Sequence, residues 1–137
     1  MLRSASDADF AFLQGLAPAE NEERLRAQIR DGRLFIIEHA DALAGFIKFY
    51  VLWGTLPFIE VIVVREALRK QGIARAAVRE WELEMARRSH PRVVISTQAN
   101  EEAQHFWRRI GYRDCGLLEL PGRPVELFLF RETQASQ

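Results

Sequence analysis

The sequence predicts an α/β fold, a mixed and mostly antiparallel sheet with helices on its faces. Three consecutive strand-like segments joined by short turns indicate an antiparallel meander. A strand, a helix and a second strand follow the meander, and this succession indicates one parallel pair. The chain has 137 residues, of which 48% are hydrophobic. This length and composition predict one globular domain over residues 1–137, with a frayed tail over residues 132–137.

The first part of the chain predicts a short strand over residues 2–5 and two helices. Ser6 and Asp7 are candidate N-caps for the first helix, which carries Phe10, Leu13 and Leu16 at helical spacing. Residues 19–30 predict a charged second helix, because apolar side chains recur four positions apart among the charged ones. It ends near the Asp-Gly pair at positions 31 and 32.

The meander is predicted from β-branched and aromatic runs that are separated by turn residues. Asp41 marks one turn, and Gly54 and Pro57 mark the next one. The run before residue 65 is the richest in Val and Ile, which is typical of a buried strand. The predicted strands cover residues 34–38, 43–53 and 58–64.

The second half predicts two helices and three further strands. The helix over residues 72–88 has apolar side chains every four positions. The helix over residues 100–110 is predicted with Asn100 as its N-cap, Arg108 and Arg109 at the negative end of its dipole, and Gly111 at its left-handed end. The remaining strands are predicted over residues 93–96, 112–118 and 125–131.

Composition excludes several classes of function. Nineteen basic residues balance nineteen acidic ones, so neither nucleic acid nor a membrane surface is an expected partner. The one cysteine, Cys115, cannot form an internal disulfide and is expected to be a packing residue. No apolar run reaches the roughly 18 residues of a membrane span. We therefore expect a cytoplasmic protein, and no metal site is expected.

The segment over residues 62–75 joins the third meander strand to a helix through a short basic connection. Gly72 and Ala74 lie where the helix begins, and Arg69, Lys70 and Arg75 add positive charge. A helix N-terminus presents unpaired N–H groups and the positive end of a dipole, and small residues let a ligand approach them. The segment therefore favours a pyrophosphate-bearing ligand. An ordinary helix start with a solvated basic cluster has the same composition, so the alternative stays open.

Two motifs in this order resemble those of the GCN5-related N-acetyltransferases. The run Arg69-Lys70-Gln71-Gly72-Ile73-Ala74 is similar to motif A of that family, Arg/Gln-x-x-Gly-x-Gly/Ala. Further along, Asn100, Ala103, Phe106, Trp107 and Gly111 occupy the positions of motif B, Asn-x-x-Ala-x-x-Phe-Tyr-x-x-x-Gly. The resemblance extends to the order of elements over nearly the whole chain. It implies a parallel strand pair that splays apart to admit the cofactor.

The resemblance also implies a set of cofactor contacts. Acetyl-CoA would be the cosubstrate, and a primary amine on a small molecule or a protein would be the acceptor. The backbone of residues 62–64 would pair with the pantetheine arm, and the loop amides would hold the pyrophosphate. Asn100 and Ala103 would flank the pantetheine, and Phe106 and Trp107 the acyl end. The implied cofactor-binding residues are Ile62, Val63, Val64, Arg69, Lys70, Gln71, Gly72, Ile73, Ala74, Arg75, Asn100, Ala103, Phe106 and Trp107.

Two side chains are predicted to take part in catalysis. Glu60, a carboxylate within an apolar strand, is the candidate general base, with Glu38, His39 and His105 as weaker options. A carboxylate on the solvent side of a sheet would look the same. Trp107 stands where the family has a Tyr that serves as an acid. An indole N–H is only a hydrogen-bond donor, so Trp107 could steady the leaving thiolate but could not protonate it.

Several alternatives remain at this stage. Trp107 motivates a non-catalytic acyl-CoA-binding or sensing domain, and an interaction module without a CoA site is the third hypothesis. Glu20, Glu22 and Glu23 could attract a cationic acceptor, but a solvated helix face is the favoured interpretation. A homodimer is expected only by family analogy.

Overall fold

The computed structural model describes residues 1–133, which form seven strands and four α-helices. The strands form the predicted mixed sheet. The elements are β1 Leu2–Ser4, α1 Phe10–Leu16, α2 Glu22–Arg30, β2 Leu34–His39, β3 Ala42–Leu52, β4 Leu56–Val64, α3 Ile73–Arg87, β5 Arg92–Gln98, α4 Ala103–Arg109, β6 Arg113–Leu118 and β7 Glu126–Glu132. The strand order is β1-β2-β3-β4-β5-β7-β6. β4 pairs with β5 in parallel, through Phe58 with Val94 and Ile59 with Ile95. The pairs β1 with β2, β2 with β3, β5 with β7 and β6 with β7 are antiparallel.

Most boundaries lie within two residues of the sequence prediction, and the starts of α2 and α4 differ by three residues. α2 begins at Glu22, because the side chain of Asn21 accepts a hydrogen bond from the N–H of Arg24 at 3.1 Å and caps the helix there. Pro57 lies inside β4, so its assignment to the turn is wrong. Glu132 is the last residue of β7. Residues 134–137 of the predicted tail lie outside the described residues.

The chain forms two compact units, each described here by itself. One comprises Met1–Tyr50 with Val61–Trp81, and the other comprises Val51–Glu60 with the residues from Glu82 onward. The divisions between the units fall within β3, within β4 and within α3. The single domain expected from the sequence stays a prediction.

In the first unit, helices cover both faces of the sheet. Side chains alternate along a strand, so neighbouring residues of β2 face opposite ways. Leu34 and Ile36 pack with Phe46 of β3 against α1 and α2. Phe35 points the other way and stacks on Phe49, whose ring contacts Trp81 of α3 edge-on at 5.9 Å.

The second unit contains β6, a strand whose six residues are all exposed. β6 pairs with β7, and its register shifts between Asp114 and Gly116. Cys115 lies at this irregularity and is exposed, so its assignment as a packing residue is wrong. The prediction failed because the sequence of β6 has no period-2 alternation that would identify an edge strand.

A buried carboxylate in the first unit ties the chain start to the first helical turn. Asp9 accepts two hydrogen bonds from the guanidinium of Arg3, each at 2.9 Å, and one from the N–H of Ser6 at 2.8 Å. The side chain of Asp9 is 5% exposed. These bonds, chiefly those from Arg3, hold the pKa of Asp9 below its usual value.

We expect Asp9→Asn to lower the free energy of unfolding by roughly 1–3 kcal/mol at pH 7. A depressed carboxylate pKa stabilises the fold above the unfolded pKa of about 3.9, and this stabilisation disappears as the pH falls through the folded pKa. The difference between variant and wild type should therefore shrink below about pH 4 in urea titrations. Asp7→Asn, an exposed carboxylate of the same turn, is the control and should change little at either pH. A deficit that persists unchanged at pH 3 would contradict this assignment.

Candidate active site

The end of β4 and the loop after it carry the predicted motif A residues in the first unit. Ile62 and Val63 are half-buried and Val64 is buried at the strand end. A 3₁₀ turn over Glu66–Leu68 follows, and α3 begins at Ile73. The predicted succession of buried strand, basic connection and helix is therefore present.

The backbone of this loop has an unusual conformation at two nearby positions. Lys70 has φ +63° and Gly72 has φ +77°, both in the left-handed region. Glycine adopts this conformation freely, whereas at Lys70 it costs on the order of 1–2 kcal/mol. Arg69 before Lys70 is extended, whereas Gly72 is followed by helical Ile73. A left-handed residue next to a right-handed one turns successive N–H groups towards one concave side, where an anion can bind. The strain at Lys70 is thus located where the sequence predicts an anion site.

The start of α3 adds further N–H groups to the loop. The N–H of Ala76 donates to the carbonyl of Gly72 at 3.1 Å, so the helical bonding begins there. The N–H groups of Ile73, Ala74 and Arg75 precede this bond and belong to the first turn, which has no intrahelical acceptors for them. Ile73 is 6% exposed and anchors the helix start in the core.

The three cations of the loop differ in their surroundings. All three are exposed, so the difference lies in their contacts. Arg69 directs its Nε to the carbonyl oxygen of Val64 and donates a hydrogen bond of 2.9 Å. Its guanidinium is therefore engaged with the end of β4. Gln71 is exposed and Ala74 is half-buried beside the helix start.

In the second unit, the motif B helix is shorter than predicted. α4 begins at Ala103, and Asn100 lies in an exposed turn before it, so the prediction of Asn100 as N-cap is wrong. The side-chain amide of Gln104 holds this turn by donating to the carbonyls of Ala99 at 2.7 Å and Glu101 at 3.0 Å. A side chain inside the helix thus stabilises the turn, a contact that sequence patterns do not reveal. Arg108 and Arg109 occupy the last turn as predicted.

Trp107 is buried and packs among aromatic rings. Its side chain meets the ring of Phe106 at 5.1 Å and the ring of Tyr112 at 5.1 Å, both edge to face. Such contacts stabilise beyond the area that they bury. Only 5% of Trp107 is exposed, whereas Phe106 is half-buried and Ala103 is exposed. Trp107 therefore has a packing role, whatever else it does.

A buried polar network lies next to Trp107 and was missed by the sequence analysis. The hydroxyl of Tyr112 donates to Oε2 of Glu82 at 2.8 Å, and Nη1 of Arg131 lies 3.6 Å from Oε1 of Glu82. The same Nη1 donates to the carbonyl of Ile110 at 2.7 Å. Burial and the adjacent carboxylate raise the pKa of Tyr112. The available signal was Glu82 itself, which follows Val78 by four positions on the apolar face of α3.

The candidate bases are placed differently. Glu60 is exposed on β4, next to Ile59, which is 2% exposed. Glu38 accepts a hydrogen bond from Arg3 at 3.1 Å, and this ion pair occupies its carboxylate. His39 and His105 are exposed. Glu60 thus lies on the predicted strand with an exposed side chain, and its role as the base stays a prediction.

Two of the three acidic residues near the start of α2 are paired, and half-buried Glu20 departs from the expected solvated face. Glu20 is half-buried and lies 3.4 Å from Nζ of Lys48. Glu22 accepts a hydrogen bond from Arg26 at 3.1 Å. Glu23 is exposed, as the solvated face requires.

Comparison with known proteins identifies the family. A family model described as the acetyltransferase (GNAT) family matches residues 3–112, so the chain belongs to that family. Sequence comparison with curated proteins finds no significant match.

Solved structures share the fold at low sequence identity. Ard1 from Thermoplasma volcanium has a TM-score of 0.82 and 16% identity over 97% of each chain. The ribosomal-protein-S18-alanine N-acetyltransferase from Escherichia coli has a TM-score of 0.80 and 14% identity over 100% of this chain and 96% of its own. A GNAT family acetyltransferase from Elizabethkingia anophelis with acetyl-CoA bound has a TM-score of 0.74 and 16% identity over 96% of this chain and 97% of its own.

Residues 1–133 contain neither of two further features, a metal-binding cluster and a membrane-spanning helix. Within them, no group of three or more His, Cys, Asp or Glu side chains is arranged to hold a metal ion. No helix in the same range is long and apolar enough to cross a membrane.

We expect Tyr112→Phe to lower the free energy of unfolding by roughly 1–3 kcal/mol, because it removes the phenolic donor from the buried carboxylate of Glu82. Tyr50→Phe is the matched control, since Tyr50 is the other tyrosine of the chain and is half-buried. Urea unfolding of both variants measures the difference. Equal effects of the two substitutions would show that the hydroxyl of Tyr112 contributes nothing specific.

Proposed function

We propose that this protein is an N-acetyltransferase that transfers an acetyl group from acetyl-CoA to a primary amine. The main support for this proposal is the loop over residues 69–75. It contains two left-handed residues, exposed cations and the start of a helix. Membership in the GNAT family gives this geometry its meaning, and one structural relative was solved with acetyl-CoA bound. The cytoplasmic location and the homodimer stay predictions.

In this proposal the loop holds the pyrophosphate of acetyl-CoA. The N–H groups of residues 70–75 donate to the phosphate oxygens, and the side chains of Lys70 and Arg75 supply balancing charge. The backbone of residues 62–64 pairs with the pantetheine arm, which is an amide chain and can hydrogen-bond like a strand. Asn100 and Ala103 contact the pantetheine, and Phe106 with Trp107 borders the acyl end.

The proposed reaction is a direct attack of the amine on the thioester. The amine nitrogen forms a bond to the carbonyl carbon, the carbon–sulfur bond breaks, and CoA leaves as its thiolate. A neutral amine loses one proton in forming the amide, and a protonated amine loses two. A carboxylate or a water bound to it can accept a proton from the nitrogen. Because a free amine has a pKa of about 10.4, most of it is protonated near pH 7.

Glu60 is the proposed base. Its carboxylate is exposed to solvent on a strand that also carries the proposed pantetheine-pairing residues, two positions before Ile62. An exposed carboxylate can receive a proton through water. Trp107 is proposed to border the thiol without donating a proton, since an indole N–H is not acidic.

The acceptor is proposed only as a class, a primary amine of a small molecule or a protein. One structural relative is an N-acetyltransferase of an alanine on ribosomal protein S18. Glu20 is engaged with Lys48 and Glu22 with Arg26. These two carboxylates are therefore weaker candidates than Glu23 for recruiting a cationic acceptor.

The second candidate function is a non-catalytic acyl-CoA-binding domain. The observation that favours it is the buried indole of Trp107 at the position where the family has its Tyr. The two functions differ in turnover, because only the enzyme releases CoA faster when amines are added. Release of CoA with no amine of a broad panel, in a protein that binds acetyl-CoA, would support the second candidate.

We expect wild-type protein to bind acetyl-CoA with a Kd in about the micromolar range and Gly72→Trp to abolish binding. The indole would project into the loop that holds the pyrophosphate. Gly32→Trp is the matched control, because Gly32 also has a positive φ, +72°, and no atom within 4 Å of an added Cβ. Calorimetric titration of both variants, after folding is verified by circular dichroism, makes the comparison. Failure of the folded wild-type protein to bind acetyl-CoA or CoA would refute the proposed cofactor.

We expect Glu60→Gln to lower kcat by on the order of 10²-fold near pH 7 while the Kd for acetyl-CoA stays within about twofold. The deficit should shrink towards pH 10, since a growing fraction of the amine is neutral without a base. Glu132→Gln, an exposed carboxylate at the end of β7, should match wild type. An unchanged rate of Glu60→Gln at pH 7 would rule out Glu60 as the base.

A further inference from the structure

The end of β4 is held in place by two hydrogen bonds from residues that follow it. Nε of Arg69 donates to the carbonyl oxygen of Val64 at 2.9 Å, and this bond is partly buried. The backbone N–H of Arg65 donates to the carbonyl of Ala44 on β3 at 2.8 Å. The loop is therefore tied back to the strand from which it emerges, and the strand is tied to its neighbour.

Gly45 determines how closely β3 approaches β4 at this point. A Cβ on Gly45 would collide with the carbonyl oxygen of Val63, and it would lie 3.0 Å from both the carbonyl carbon of Val63 and Cα of Val64. All three atoms belong to the backbone, so no side-chain movement could relieve the contact. Any other residue at this position must therefore displace β4 at Val63 and Val64.

The contact of Arg69 depends on guanidinium geometry. The Nε–H lies in the plane of the guanidinium and points sideways from the chain, so it can reach a carbonyl five residues back. A lysine ammonium at the same position keeps the charge but has neither the planar shape nor a donor at that atom. Charge and geometry can therefore be separated by substitution.

We infer that Arg69 and Gly45 are positioning residues for the acyl-CoA arm. This inference rests on the proposed function. Gly45 sets the path of Val63 and Val64 from the β3 side, and Arg69 holds the Val64 carbonyl from the loop side. Together they orient the backbone groups that pair with the pantetheine. Arg69 acts through Val64 rather than through a phosphate, and the phosphate charge is met by Lys70 and Arg75.

The test compares two donors that share the acyl-pantetheine arm. Acetyl-CoA carries the phosphates, whereas S-acetylpantetheine lacks them. Dissociation constants for both are measured by NMR titration, which also follows weak binding. A positioning role predicts that Arg69→Lys weakens binding of both donors by the same factor, about tenfold. Gly45→Ala should have the same signature if it folds.

Lys70→Gln is the control for a phosphate contact. It should weaken acetyl-CoA binding, leave S-acetylpantetheine binding unchanged, and make the acetyl-CoA affinity less sensitive to salt. Arg69→Lys should keep the wild-type salt sensitivity, because the charge remains. The backbone amide signals of Val64 and Arg65 in the free protein should shift in Arg69→Lys and stay in place in Lys70→Gln.

The outcomes separate the inference from the function on which it rests. Wild-type affinity of Arg69→Lys for acetyl-CoA, with weaker and less salt-sensitive binding by Arg69→Gln, would make Arg69 a phosphate ligand and overturn the inference. Unshifted signals of Val64 and Arg65 in Arg69→Lys would overturn it as well. If wild type binds neither acetyl-CoA nor CoA, the proposed function itself fails. The salt measurements need only acetyl-CoA, and the signal measurements need no donor. Both therefore decide the inference even where S-acetylpantetheine binds too weakly to measure.

Discussion

The close approach of two backbones at Gly45 is the constraint on which the candidate site depends. β3 and β4 can come this near only because Gly45 has no side chain, and the carbonyl of Val63 takes the space that a Cβ would occupy. The strand end is then completed by backbone and guanidinium donors, from Arg65 to Ala44 and from Arg69 to Val64. The left-handed turn at Lys70 and Gly72 starts from this anchored point, so the direction of its N–H groups follows from the strand before it.

The strain at Lys70 is consistent with this arrangement. A left-handed lysine costs on the order of 1–2 kcal/mol, and an isolated loop would relax to avoid that cost. Here the residues on both sides are held, by Arg69 bonded to the strand and by Ile73 buried at the start of α3. The backbone between them has few conformations that connect the two anchors. The two anchors therefore account for the strain at Lys70, and they fix the backbone of the loop without a ligand.

The sequence was informative where a local pattern has one structural explanation. The β-branched run before residue 65 and the apolar period of α3 identified their elements within two residues of the observed ends. Gly72 was identified because a helix start after a basic loop favours a small residue. The sequence does not reveal the role of Gly45, because that role depends on Val63, eighteen positions away, and no local pattern reports the contact. Glu82 and Tyr112 were missed for the same reason, since their bond joins residues thirty positions apart. The N-cap assignment of Asn100 failed because Gln104, inside the helix, stabilises the preceding turn instead.

The proposed reaction does not require a side-chain acid at the position of Trp107. A thiol has a pKa of about 8.5, so CoA is a stable enough anion near neutral pH to leave before it is protonated. The CoA thiolate therefore needs no acid beside it. It needs only a neighbouring side chain that excludes water and has a fixed position. In the proposed reaction the indole of Trp107 would meet both requirements, since it packs edge-on against Phe106 and Tyr112, and Tyr112 is itself bonded to Glu82. The amine, with a pKa near 10.4, holds its proton far more tightly than the thiol. In the proposed reaction, proton removal from the acceptor is thus the step that most needs a side chain, so the proposal depends more on Glu60 than on Trp107.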